Sequence, residues 1–175
     1  VKMHLARISV APDSFLTEMY VTDYSTADDQ YLLGNYTSLK RESIIAIPKF
    51  FLGLSRTNEW GEKMFWNTQK EYSERINGTY ISRNNVMRSD SLFMDYNNAS
   101  KTEVLQEYFV PINQYTAYID DLRDTIKDEE DFNLLNITVR YVGKNEEAVM
   151  SYANDDMFAL VMLINQGTSE ESIDT

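Results

Sequence analysis

The chain is predicted to fold as α+β, with a mainly antiparallel sheet and helices packed on one face, and three observations lead there. Two runs rich in Val, Ile, Tyr, Phe and Thr near the start flank a turn cluster, broad helical patterns fill residues 38 to 76, and the last third reads strand, helix, strand, strand. Strands and helices that are segregated along a chain, rather than alternating, favour antiparallel pairing with ferredoxin-like elements. At 175 residues the chain is expected to form a single domain, residues 1–175, large enough to bury a core.

Lys2 to Val10 and Phe15 to Thr22 read as a β-hairpin across the turn-favouring Ala11-Pro12-Asp13-Ser14. On its second strand Phe15, Thr17, Met19 and Val21 form an apolar face, and Leu16, Glu18, Tyr20 and Thr22 form a mixed face suited to helices or a ligand. Asp23 to Thr37 has no sustained period and reads as a loop. From Ser38, a candidate cap, Leu39 through Leu54 supply an apolar surface too broad for a solvent-facing helix, with Pro48 expected to kink or split it. Asn58 to Ile76 reads as a second helix, stopped by Asn77-Gly78. Its Trp60, Met64, Thr68, Tyr72 and Ile76 recur every four residues and are expected in the core.

Tyr80 to Ser100 reads as an extended connection, in which Arg83 and Arg88 are expected to pair with the chain's own acids rather than with a carboxylate ligand. Val104 to Val110 is a strand, closed by a Pro111 that suits the first turn of a helix. That helix presents Ile112, Tyr115, Tyr118 or Ile119, Leu122 and Ile126 to the core. Lys127 to Asp131 is a solvated turn, without the glycine and spacing of a calcium loop. In the strand Phe132 to Val142, Leu135, Ile137, Val139 and Tyr141 share one face and Asn136, Thr138 and Arg140 the other. Glu146 to Tyr152 is expected to hold a short helical turn. Met157 to Asn165 is apolar on both faces, as in a strand covered on both sides, and the polar tail is expected to fray.

Composition removes several function classes. There are 16 Lys plus Arg against 28 Asp plus Glu, a net charge of −12, which disfavours nucleic acid and anionic membrane surfaces as partners. Without cysteine there is no disulfide, thiolate nucleophile or zinc ribbon, and the single His4 cannot build a histidine metal cluster. Neither a phosphate loop nor a nucleophile elbow is present. No apolar run approaches a membrane span and no signal peptide opens the chain, so a soluble protein is expected, with the cytoplasm favoured. The sequons at Asn35, Asn77, Asn98 and Asn136 are then read as chance. The start at Val1, directly in strand-like sequence, suggests a piece of a longer protein.

The polar row of the 132–142 strand is the candidate site. An arginine projecting from a mid-sheet strand carries a desolvation cost unless an anion or several acceptors meet it. One reading is a structural pair between Arg140 and Glu107 of the preceding strand; the other is a fixed positive charge beside an anionic substrate or a charge developing on a cofactor.

At these residues the chain resembles a known family. HLARISV, FLTEMYVTDY, FFLGLSR, SRNNVMR, LQEYFVP, LLNITVRYV and SYANDDMFALVMLINQ, running in order from near residue 4 to residue 166, are similar to the substrate-binding, or cap, part of FAD-linked oxidases of the vanillyl-alcohol oxidase type. The likeness lies close to the sugar-alcohol, aldonolactone and related bacterial flavin oxidases. The resemblance implies a hydride taken from a CH–OH or similar carbon onto flavin. It also implies FAD held mainly by a separate FAD-binding domain of the same parent chain, since no glycine-rich diphosphate loop occurs here. Sugar-oxidising relatives carry Glu-x-Arg beside the flavin, where this chain has Thr138-Val139-Arg140. The arginine role, stabilising reduced flavin or an oxyanion, therefore carries over to Arg140 alone. Thr138, Asn136 and Glu107 are left as expected substrate-binding residues, and a polyol substrate is disfavoured. A stand-alone α+β ligand-binding or regulatory module, and an acidic protein-interaction domain, are the competing readings.

Overall fold

The structure, a computed structural model, describes residues 3–27, 46–87, 96–127, 129 and 132–173. Most of the loop expected at 23–37, the helix start at Ser38, Arg88 and most of the 127–131 turn lie outside these residues. Five strands, β1 (Met3–Ile8), β2 (Met19–Tyr24), β3 (Lys101–Pro111), β4 (Asn133–Val142) and β5 (Met157–Gly167), form one sheet in the order β2-β1-β4-β5-β3. Every neighbouring pair is antiparallel. The main helices are α1 (Ala46–Ser55), α2 (Glu59–Ile76) and α4 (Tyr115–Ile126), with short turns of helix at α3 (Arg83–Val86) and α5 (Glu170–Ile173). The α+β class and the antiparallel sheet are those expected.

Local chemistry sets the element ends. The β1–β2 connection makes a 3-10 turn at Pro12–Ser14, where proline opens the turn. Beyond it the buried Leu16 takes a left-handed φ of 51°, held by the bond from its N–H to the Ser9 carbonyl at 2.9 Å. Asn58 caps α2 by accepting from the Gly61 N–H at 2.8 Å, and α2 ends at Asn77 with Gly78 at φ 72°. α1 and α2 meet at Gly61, where a Cβ would lie 2.3 Å from the Leu54 carbonyl carbon.

The helices cover both faces of the sheet, a correction to the single covered face expected. On one face α4 buries Ile119 and packs Tyr115, Tyr118, Leu122 and Ile126 against Ala6, Ile8, Val139, Leu160 and Met162. On the other, Leu52 of α1 and Phe65 of α2 pack on Leu135 and Leu163. Over β1 and β2 the same helical layer is joined by polar contacts: Arg7 to Gln69 at 2.9 Å, Thr22 with Ser73 at 3.3 Å, and Glu18 accepting from Trp66 Nε1 at 2.8 Å and from Lys70. Lys70 first, then Trp66, hold the Glu18 carboxyl below its usual range. A segregated order of elements does not say on which side each helix returns. β5, apolar on both faces, did carry that information.

Other expectations change. Trp60 and Tyr72 are exposed, and the buried aromatics of α2 are Phe65 and Trp66. A four-residue repeat drifts by about 40° per step around a helix of 3.6 residues per turn, so such a stripe cannot stay on one face for four turns. On β2 the mixed face, Tyr20 and Thr22, meets a helix, α2, as expected, with Tyr20 and Trp66 rings 5.3 Å apart, but Met19 and Val21 of the apolar face are exposed. On β4 the register shifts between Leu134 and Asn136, a bulge that moves Leu135 to the α1–α2 face, away from Ile137 and Val139. Residues 146–152 form bends and a turn at 149–150 rather than helix, and the tail makes α5, where Gln166 Nε2 donates to the Ser172 carbonyl at 2.8 Å.

Candidate functional site

Strand register puts all four candidate residues on the α1–α2 face. Arg140 stands opposite Leu5 on one side and Ala159 on the other, and Ala159 is opposite Phe109. Thr138 is opposite Val161, which is opposite Glu107, and Asn136 is opposite Leu163. The row therefore runs along β4 from under the helices toward solvent. Asn136 and Thr138 are half-buried, with Asn136 Nδ2 donating to Thr138 Oγ1 at 3.3 Å. Arg140 and Glu107 are exposed.

Two consequences correct the sequence reading. Arg140 is not desolvated, because α1 and α2 pack on Leu135 and Leu163 and leave the far end of β4 uncovered among the described residues. Nor does Arg140 pair with Glu107. β5 separates them, with Cα positions roughly 12 Å apart by strand spacing and rise, and no ion pair joins them. Among the described residues Arg140 has no carboxylate partner.

On β5 beside this row Val161 is half-buried and Ala159 fully buried, and Phe109 of β3 packs with Tyr152 at 4.6 Å between ring centroids. Tyr152 belongs to the loop 143–156. That loop is tied down by Asn145 Oδ1, which accepts from the N–H groups of Glu147 at 2.9 Å and Ala148 at 3.1 Å, and by Asp156 Oδ1, which accepts from Lys144 N–H at 2.9 Å. On the opposite face, a hydrogen bond to Asp156 pushes the Tyr141 phenol up.

A second polar cluster on the same face went unseen in the sequence. Arg56, just after α1, donates from Nε to Glu103 Oε1 at 2.6 Å, and both side chains are more than nine-tenths buried. Its guanidinium lies 4.4 Å from the centre of the Tyr96 ring. Glu103, Asn165 and Asn133 form one row across β3, β5 and β4, and Asn133 Nδ2 donates to the Arg56 carbonyl at 3.2 Å. The signal available in the sequence was Asn165, an amide closing an otherwise apolar run on a strand buried from both sides.

Among the described residues no group of His, Asp and Glu side chains could hold a metal ion, and no helix is long and apolar enough to cross a membrane. Comparison with protein-family models, curated proteins and solved structures gives no match. The uncovered end of β4 offers the Arg140 guanidinium and the half-buried Thr138 hydroxyl, and the sequence has no glycine-rich loop for a diphosphate.

Proposed function

We propose that this chain is the substrate-binding part of an FAD-dependent oxidoreductase acting on a CH–OH or similar group, with the FAD held mainly by another domain of the parent protein. One observation supports the reading: among the described residues Arg140 stands exposed and without a carboxylate partner, on the end of β4 that α1 and α2 leave uncovered. A cation without a carboxylate partner among the described residues is suited to an anion supplied from outside, and such charges act most strongly once a partner excludes water. FAD, when bound, would accept the hydride. Arg140 would hold positive charge near the flavin ring or an oxyanion, while Thr138 and Asn136 orient a substrate hydroxyl and Glu107 borders the pocket from β3.

The test uses the protein translated from the whole reading frame that contains this chain. It should show flavin absorbance, and a full-length product without flavin ends the proposal, leaving the face to a ligand-binding role without redox chemistry. In that flavoprotein Arg140→Ala should slow flavin reduction by about 10²-fold, the usual loss for one electrostatic group at a developing charge, with an unchanged circular dichroism spectrum. Reduction at the original rate removes the role assigned to Arg140.

A further inference from the structure

The Arg56–Glu103 cluster carries more polar capacity than its own members satisfy. Arg56 Nη2, Glu103 Oε2, Asn133 Oδ1 and both side-chain polar atoms of Asn165 are buried, and none has a hydrogen-bond partner among the described residues. Such groups are rare in folded proteins, because each forfeits its bonds to water without replacement. Here they converge. Glu103, Asn165 and Asn133 are laterally adjacent on three strands, so their side chains leave one face about 5 Å apart, and Arg56 closes over them through its bonds to Glu103 and Asn133.

We propose that these four side chains form a built hydration site that holds one or two ordered waters between the end of α1 and strands β3, β5 and β4. The unsatisfied set mixes donors, Arg56 Nη2 and Asn165 Nδ2, with acceptors, Glu103 Oε2, Asn133 Oδ1 and Asn165 Oδ1. An anion would meet three acceptor oxygens, one of them a carboxylate's. A cation would meet the guanidinium. The Arg56–Glu103 pair is neutral in sum, and the species that suits buried donors and acceptors together is water, which when buried makes two to four such bonds. The site has a structural consequence: the water completes a polar bridge from the helical layer to β3, the outermost strand on that side.

A crystal structure of the protein at a resolution that shows ordered solvent tests this, with parallel soaks in bromide and in rubidium salts. Density within hydrogen-bonding distance of at least three of the four side chains, unchanged by either soak, is expected. The proposal is overturned if the side chains pair directly with no density between them, or if anomalous signal from either ion appears there. In solution, the side-chain amide of Asn165 should show magnetisation transfer from a long-lived water, and its absence also overturns the site. The paired variant Arg56→Met/Glu103→Leu removes the charged members together. Its crystals should lose the density, and water retained there would show that the charged pair does not hold it.

Discussion

The two ends of one sheet face make an instructive contrast. Both carry an arginine, a glutamate on β3 and asparagines on β4: Arg56 with Glu103 and Asn133 at one end, Arg140 with Glu107 and Asn136 at the other. At the first end α1 and α2 close over the sheet, so the charges are buried and bonded. At the second the helices stop short, and the charges stand apart in solvent. The same residue types are thus part of the core in one place and exposed in the other. Coverage decides, and coverage comes from where the α1–α2 pair lies.

The largest effect should come from cutting the buried pair. Arg56→Ala leaves Glu103 charged and buried, and should cost about 3–5 kcal/mol in denaturant unfolding, whereas Arg56→Met/Glu103→Leu should cost clearly less than the single change. Equal losses would mean that the pair is not desolvated and would erase the contrast. Next comes the junction that lays the helices over this end. Gly61→Ala puts a methyl against Leu54 backbone and should destabilise by about 1–3 kcal/mol, seen as a lower unfolding midpoint.

A smaller effect belongs to Glu62 in the first turn of α2, whose carboxyl burial and the nearby Glu59 push up to about 7. Between its unfolded value near 4.5 and about 7 the folded state binds the extra proton, so stability should fall as pH rises through that window. Solvent screening and the positive end of α2 limit the loss to about 1 kcal/mol or less. Glu62→Gln should flatten that slope in unfolding curves taken from pH 5 to pH 8. The smallest effect is expected at the open end, where Arg140→Ala should change stability by no more than about 0.5 kcal/mol. A larger loss would place Arg140 among the structural charges.

Much of the architecture was legible because it is written locally. Asn58 and Asn77-Gly78 bracket α2 as cap and stop, Val104 to Val110 lies inside β3, and the apolar positions of α4 fall on the core at Tyr115, Ile119, Leu122 and Ile126. What failed depended on long-range packing. The β4 bulge moved Leu135 to the other face, and period-2 reasoning cannot see an extra residue in a strand. Arg140 looked costly because strand position was taken for burial, and the Arg56–Glu103 pair joins residues 47 apart with no sequence spacing to announce it.

By itself, then, the chain determined its strands and main helices, its antiparallel α+β class, and the polar identity of Asn136, Thr138 and Arg140 on β4, because caps, turns and side-chain periodicity act over a few residues. Only the tertiary structure decided which charges are inside. That depends on α1 and α2 packing on β4 and β5 at Leu135 and Leu163 while the rest of α2 lies over β1 and β2, which buries Arg56 with Glu103 and leaves Arg140 and Glu107 to solvent. Burial is a property of what lies across from a residue, and no local pattern contains it.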